Sequence, residues 1–402
     1  MRRRVALAAL LAACGGRDLV PGTATTTDSL GITVVTATMP AWGDTPQWRV
    51  DTVPELVIGA ADQLPAVLLL GVSSVQRLGD GGLVASTNDD KLVRWFTPDG
   101  APAREAGGPG DAPGRFATVR IAGMLGDSVL AWDEQLDRAT VLGPDGAVVR
   151  RFTPGDSDSL APFGFAVTAP FADGRLLVAS RSGALSGGAS GLRRDTIALA
   201  RASAEGALEQ VIARVPGHEN VVVSGPSFVT LVPRPFGART VVTTSGNDVL
   251  VGLGDRDEVR RYRHDGTLAA IYRLDRPRRL ISQAELAAQR EQLATQLAQL
   301  PLTMADAIAS ALASAGVSPV YPAHDQILVD DSGAIWLRED IGTRRGQVEA
   351  RSWVVLGADG VWLGTVSTPA RFDLHQVADN RLLGVWRDAN DVEHIRIHRL
   401  ER

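Results

Sequence analysis

The residues best equipped for chemistry are six histidines, His218, His264, His324, His375, His394 and His398, and the carboxylates near them. Neutral imidazole and carboxylate are ordinary ligands of zinc-like ions, and a metal centre needs three or four of them converging from different elements. His324 with Asp325, and His375 with Asp373, stand in segments expected to enter strands. These four are the candidate metal ligands. His394 and His398 are four apart in a predicted strand, which puts them on one face about 13 Å apart, too far to share an ion. His264 belongs to a hairpin turn.

Other patterns lead away from catalysis. A nucleophile elbow needs glycine two residues either side of its serine. Ser190 has Gly188 before it but Leu192 after it, within a Gly/Ser-rich loop. Gly108, Gly110 and Gly114 have the wrong spacing for a dinucleotide loop, include prolines, and precede a strand. Asp156 with Asp158, and Asp255 with Asp257, lack the further ligands of a calcium loop and read as turn residues. No catalytic residue and no cofactor is assigned.

The chain has one cysteine, Cys14, so no internal disulfide is available. Arg2, Arg3 and Arg4 precede nine apolar residues, Val5 to Ala13, a secretory signal pattern too short to span a bilayer. Leu11-Ala12-Ala13-Cys14 resembles the lipobox of bacterial lipoproteins. The resemblance implies cleavage before Cys14, acylation of its thiol and anchoring through several acyl chains. Residues 1–13 are then a signal peptide and 14–30 a lipidated tether, since 15–30 are Gly, Thr, Pro and polar residues without periodicity. Gly15 after the cysteine resembles the outer-membrane default of that family.

Six segments beyond the tether share one form, a Gly/Asp/Asn turn followed by a short apolar run: GDGGLVAST (79–87), GDSVLAWDE (126–134), ADGRLLVAS (172–180), GNDVLVGLG (246–254), DSGAIWLRE (331–339) and ADNRLLGVW (378–386). The runs are apolar at consecutive positions, as in strands buried on both faces. A second turn follows each, in TPDGAPARE (97–105), GPDGAVVRR (143–151), SAEGALEQV (203–211), RHDGTLAAI (263–271), GADGVWLGT (357–365) and DANDVEHIR (388–396). Asp-Gly between β-prone segments is a hairpin signal. Successive turns advance by 46, 46 and, near the end, 48 residues. Two hairpins per period of about 40–50 residues is the pattern of a propeller blade.

The last unit lacks a fourth strand, and Ile32–Thr36 is the expected N-terminal strand that completes it. The chain resembles NHL-like six-bladed β-propeller proteins, most closely over residues 115–152 and the preceding GGPGDAPGRF (107–116). The fold expected is all-β: a six-bladed propeller over 31–402, with a helical insertion, 275–318, between blades four and five. Some propeller enzymes hold an axial metal. In such a site His324, Asp325, Asp373 and His375 would come from adjacent blades, while Gln76, Arg77, Arg120 and Arg239 of other inner strands are not cation ligands.

Within the insertion, Ser282 and Glu285 form a predicted capping box. Leu286, Leu293, Leu297 and Leu300 share one helical face, and Pro301 ends the run. Thr303 is a predicted cap for a second helix, with Met304, Ile308, Leu312 and Ala315 inside and Gly316 as its stop.

The net charge of −5 argues against nucleic acid as a partner. These features predict a monomeric, envelope-anchored propeller lipoprotein without catalysis. It would meet the membrane through its lipid and bind an envelope protein, peptide or glycan. The alternative is a lactonase-like hydrolase or lyase on the same ring.

Overall fold

The computed structural model describes residues 23–59, 68–155, 164–181, 190–225, 227–339 and 350–402. Cys14 and its signal segment lie outside the described residues, as do Asp156 and Asp158. The described strands form six separate sheets. Their first strands are Val72–Arg77, Arg120–Leu125, Phe165–Pro170, Thr240–Ser245, Gln326–Val329 and Phe372–Ala378. Each contacts the next, and the sixth returns to the first, so the six strands line a closed ring. This cyclic order is that of a β-propeller.

The predicted turn-and-run segments supply the second strand of every sheet. Their consecutive apolar residues follow from the ring, because each sheet has a neighbour on both faces. Leu83 and Ala85 face the sixth sheet, whereas Val84 faces the second. Val129 and Ala131 face the first sheet, and Leu130 and Trp132 the third. Six apolar cores, one between each neighbouring pair, replace a single central one.

Side chains of the innermost strands also bond across the sheets. Ser73 Oγ donates to the Val119 carbonyl at 2.5 Å, and Ser74 Oγ accepts from Ile121 N–H at 2.6 Å. Arg120 donates to the Val167 carbonyl. Thr244 reaches Pro170 at 2.8 Å, Gln326 reaches Leu374 at 3.1 Å, and Gln376 accepts from Arg77 N–H at 2.9 Å. Such bonds satisfy polar groups where neighbouring sheets meet.

Residues near the N-terminus close the ring, but not through the expected segment. Ile32–Ala37 runs parallel to Leu268–Leu274 on the fourth sheet, in hairpin with Ala24–Ser29. That hairpin also shortens the expected tether. The chain then passes the fifth sheet, where Ala41 and Trp42 donate to the carbonyls of Trp362 and Leu363, each at 2.8 Å. Gly364 makes this passage possible, since a Cβ there would overlap the Trp42 ring. Arg49–Ile58 finally pairs antiparallel with Glu393–Glu401 as the outer strand of the sixth sheet. Pro54 weakens this segment as a strand signal, yet an outer edge is where a sheet tolerates proline. The DANDVEHIR turn is corrected with it. It joins the second and third strands of its sheet, because the fourth strand comes from the other end of the chain.

Helices α1 (Gln283–Leu297) and α2 (Leu302–Ala315) lie between the fourth and fifth sheets in sequence. The Ser282–Glu285 capping box is present, and Gly316 ends α2 at φ 65°. Thr303 is not a cap; α2 starts directly after Pro301, with no side-chain cap bond. Leu293, Leu297, Met304, Ile308, Leu312 and Ala315 pack on Val221, Val223 and Phe228 of the third sheet. Leu286 lies outside this cluster and Leu300 is exposed. The third sheet has a fifth strand, Phe228–Pro233, and its strands Gly191–Ala202 and Leu208–Gly225 are long enough to reach the helices. No helix among the described residues is long and apolar enough to cross a membrane.

Ile58 is fully buried between the sixth and first sheets. Ile58→Ala is expected to lower unfolding free energy by about 2–4 kcal/mol in urea titrations. Thr26→Ala, on the exposed hairpin strand, should change it by less than about 0.5 kcal/mol. An unchanged midpoint for Ile58→Ala would contradict closure by this strand.

Candidate functional site

The four candidate ligands lie where the fifth sheet meets its two neighbours. Asp325 immediately precedes the first strand of the fifth sheet, and Asp373 lies in the first strand of the sixth. Arg338, which ends the second strand of the fifth, stands between them. Its Nε donates to Asp325 Oδ1 at 2.6 Å and its Nη1 to Asp373 Oδ1 at 2.8 Å. Nη2 adds a bond to Asp325 Oδ2 at 3.1 Å, completing a bidentate fork. A guanidinium therefore occupies the space between the two carboxylates that a metal would need.

His324 is separated from this pair. Its ring is buried in the wall between the fourth and fifth sheets, 1% exposed, with Nδ1 3.9 Å from Asp257 Oδ1, beyond hydrogen-bond range. The site exists because residue 252 is glycine; a Cβ there would stand 2.5 Å from His324 Nε2. Asp257 has φ 51° and is held by Arg276 Nε at 2.6 Å, while Arg276 Nη1 reaches Glu339 at 2.6 Å. This ion-pair chain ties the fourth sheet to the fifth at the root of the helices. Burial holds the His324 imidazole below the usual histidine range, despite the nearby Asp257 carboxylate.

His375 is half-buried at the bulge between Leu374 and Gln376, where the ladder with the second strand shifts register. Among the described residues, no three His, Cys, Asp or Glu side chains converge on a point that could hold a metal ion. The structure thus joins Asp325 to Asp373 through an arginine and leaves the two histidines apart. His398 and His394 have structural settings. His398 Nδ1 lies 2.8 Å from the Asp51 carbonyl of the closing strand, and its ring meets Phe372 edge-on. His394 packs against Trp386.

Openings of about 540 and 220 Å³ lie beside Trp42 and Arg402 and beside Trp95 and Arg104, and two others border the sixth sheet and the helices. A cleft of about 470 Å³ lies between the sixth and first sheets. Arg387 and Glu393 in its wall pair at 2.6 Å, Glu393 also accepts from Val72 N–H at 2.6 Å, and Arg371 donates to the Asp388 carbonyl at 2.7 Å. Glu393 thus joins the sixth sheet to the first, while the other two bonds lie within the sixth. A second recess of about 210 Å³ lies between α1 and residues 232–239. It has no acidic residue in its lining and includes Arg239.

Sequence reading missed Arg338 and Asp257 as partners of the candidates. Arg338 is visible only as the last residue of an apolar run, and nothing in the spacing says which carboxylates it meets.

No protein-family model and no curated protein matches the chain. Among solved structures it is similar to a protein of Bacteroides fragilis described as exported, at 11% identity, covering 92% of this chain and 100% of that one, with TM-score 0.50. It is also similar to a member of the DUF4221 family from Bacteroides vulgatus, at 12% identity, covering 89% and 100%, with TM-score 0.51. At these identities the likeness concerns the fold alone. A streptogramin B lyase aligns at 9% identity over 88% and 97%, with TM-score 0.38, too loosely to bring its chemistry here.

The buried neutral His324 makes stability depend on pH. Its folded pKa is below the unfolded value of about 6.5, so the unfolded chain takes the proton first. The contribution is complete above about pH 6.5 and is lost as pH falls through that value toward the folded one. Urea unfolding should give falling free energy from pH 7 to pH 5, with a shallower fall in His324→Gln. An identical slope in the variant would contradict this origin.

Proposed function

We propose that the chain is an envelope-anchored, six-bladed β-propeller lipoprotein that acts as a monomeric, non-catalytic binding or scaffold module. Its partner is a protein, peptide or glycan of the envelope. The helices α1 and α2 are an insertion between the fourth and fifth blades, and Cys14 carries the lipid. The anchor is assigned to the outer membrane, on the periplasmic side or at the surface.

The observation that carries the non-catalytic reading is the Arg338 fork. The carboxylates best placed for an ion, Asp325 and Asp373, are already neutralised by a cation of the chain itself. Displacing it would leave a guanidinium with only 16% side-chain exposure in search of new partners. The alternative, a lactonase-like hydrolase or lyase, needs that displacement and a further ligand from another blade. Binding is supported by what the insertion adds. The helices and the prolonged third sheet form an accessory core outside the six shared by the blades, and surface elements on a rigid scaffold are the usual carriers of recognition.

The anchor rests on the N-terminal sequence, where Arg2, Arg3 and Arg4, the short apolar run and Cys14 stand in lipobox register. Cell fractionation tests it. The native chain should sediment with membranes and Cys14→Ala should be released to the soluble fraction. Retention of Cys14→Ala in the membrane fraction would refute the lipid anchor.

A further inference from the structure

The recess between α1 and residues 232–239 combines features that no folding role uses. Gln289, Gln292 and Gln296 fall at i, i+3 and i+7 of α1 and line one wall. Their carboxamides make no hydrogen bond among the described residues. Across from them lie Pro235 and Phe236. Phe236 has φ 55°, an uncommon backbone state for a bulky residue, and its ring meets Tyr321 edge-on at 5.0 Å.

The charged residues of the lining are both arginines, Arg234 and Arg239. Most arginines nearby are committed: Arg234 to Glu219 at 2.9 Å, Arg194 to Asp255 at 2.8 Å, Arg276 to Asp257 and Glu339. Arg239 is the exception. Its guanidinium makes no hydrogen bond or ion pair among the described residues, and no carboxylate lines the recess with it. The nearby His218 responds to this field. Burial first, then the charges of Arg239 and Arg194, hold its imidazole below the usual range.

We propose that this recess binds a carboxylate-bearing sugar residue, such as a hexuronic acid unit of an envelope glycan. Arg239 pairs with the carboxylate. The glutamine carboxamides, which both donate and accept, match sugar hydroxyls, which do the same. Phe236 and Pro235 offer an apolar surface to the C–H face of the ring. About 210 Å³ suits one small ring and falls below the volume of drug-sized sites. An extended peptide would instead call for a run of free backbone groups along a strand edge, and of the outer strand Phe228–Pro233 only its last two residues, Val232 and Pro233, line the recess, Pro233 having no N–H to offer. The assignment rests on the binding-module reading and gives it a ligand class.

Calorimetric titration of the full-length protein with D-galacturonate tests the site. One equivalent should bind. Arg239→Gln should weaken it by about ten- to a hundred-fold without moving the unfolding midpoint, since Arg239 has no side-chain partner among the described residues to lose. The methyl ester of galacturonate, which keeps the ring and loses the charge, should be weaker by a similar factor. Gln292→Ala, on the surface of α1, should weaken acid and ester alike. The site is overturned by no binding up to about 10 mM galacturonate, by equal binding in Arg239→Gln, or by tighter binding of tri-alanine at the same place. If galacturonate fails while immobilised protein still retains a defined envelope fraction, this site alone falls. If no envelope glycan, peptide or protein fraction is retained at all, the binding-module reading falls with it.

Discussion

Closure of the ring is the constraint on which everything else depends. Each sheet buries its second strand only because a sheet stands on either side. An opening would expose two apolar faces at once, for instance Leu83 with Ala85 and Leu383 with Val385. The chain meets this by bringing Arg49–Ile58 to the outer edge of the sixth sheet, next to its C-terminal strand. His398 Nδ1 touches the Asp51 carbonyl, Arg381 pairs with Glu55 at 2.6 Å, and Arg402 stacks on Trp48 at 4.4 Å while reaching Asp330. A row of tryptophans, Trp42, Trp48, Trp336 and Trp353, fills the space behind this clasp. The N-terminal segment therefore does more than complete a sheet. It lies along the outer edges of three consecutive sheets, and its loss would loosen all of them.

The same closure governs the ionic residues. Where two sheets meet at the ring, polar side chains have little water and need partners from the neighbouring sheet. Arg338 takes carboxylates from the fifth and sixth, and Arg276 from the fourth and fifth. Two residues that looked like ligands when read along the chain, Asp325 and Asp373, are partners of a structural ion pair in three dimensions. The accessory module differs. It is attached through α2 and the third sheet rather than through the ring, so side chains facing away from that contact are free of the closure requirement. Arg239 and the α1 glutamines stand at the boundary between these two regimes.

Much of the fold was legible because its signals are local. Gly81, Gly146, Gly206, Gly266 and Gly360 sit in hairpin turns at positive φ, and each turn adjoins a strand the sequence announces. The four-residue Ser282–Glu285 cap and the single-residue Gly316 stop are likewise local signals. The closing strand was not legible. Ile32–Ala37 is the better strand by composition, yet it pairs with the fourth sheet, while Arg49–Ile58 carries Pro54 and three charged residues and closes the ring. Pairing over more than three hundred residues leaves no mark at the spacing of a turn. The site suffered the same way. His324, Asp325, Asp373 and His375 could be placed near innermost strands, but their partners Asp257 and Arg338 are fixed by which sheets adjoin, not by sequence distance.

Arg338 acts as the cation between Asp325 and Asp373 where the fifth sheet meets the sixth. Titration of the native protein with zinc and with calcium, followed by calorimetry at pH 7, tests this directly. Neither ion should bind with one-to-one stoichiometry at this pair of carboxylates, and Arg338→Ala should be the variant that gains affinity, because it removes the cation that Asp325 and Asp373 share. One-to-one binding by the native protein that disappears in Asp373→Asn would contradict this role of Arg338 and place a metal site between the fifth and sixth sheets.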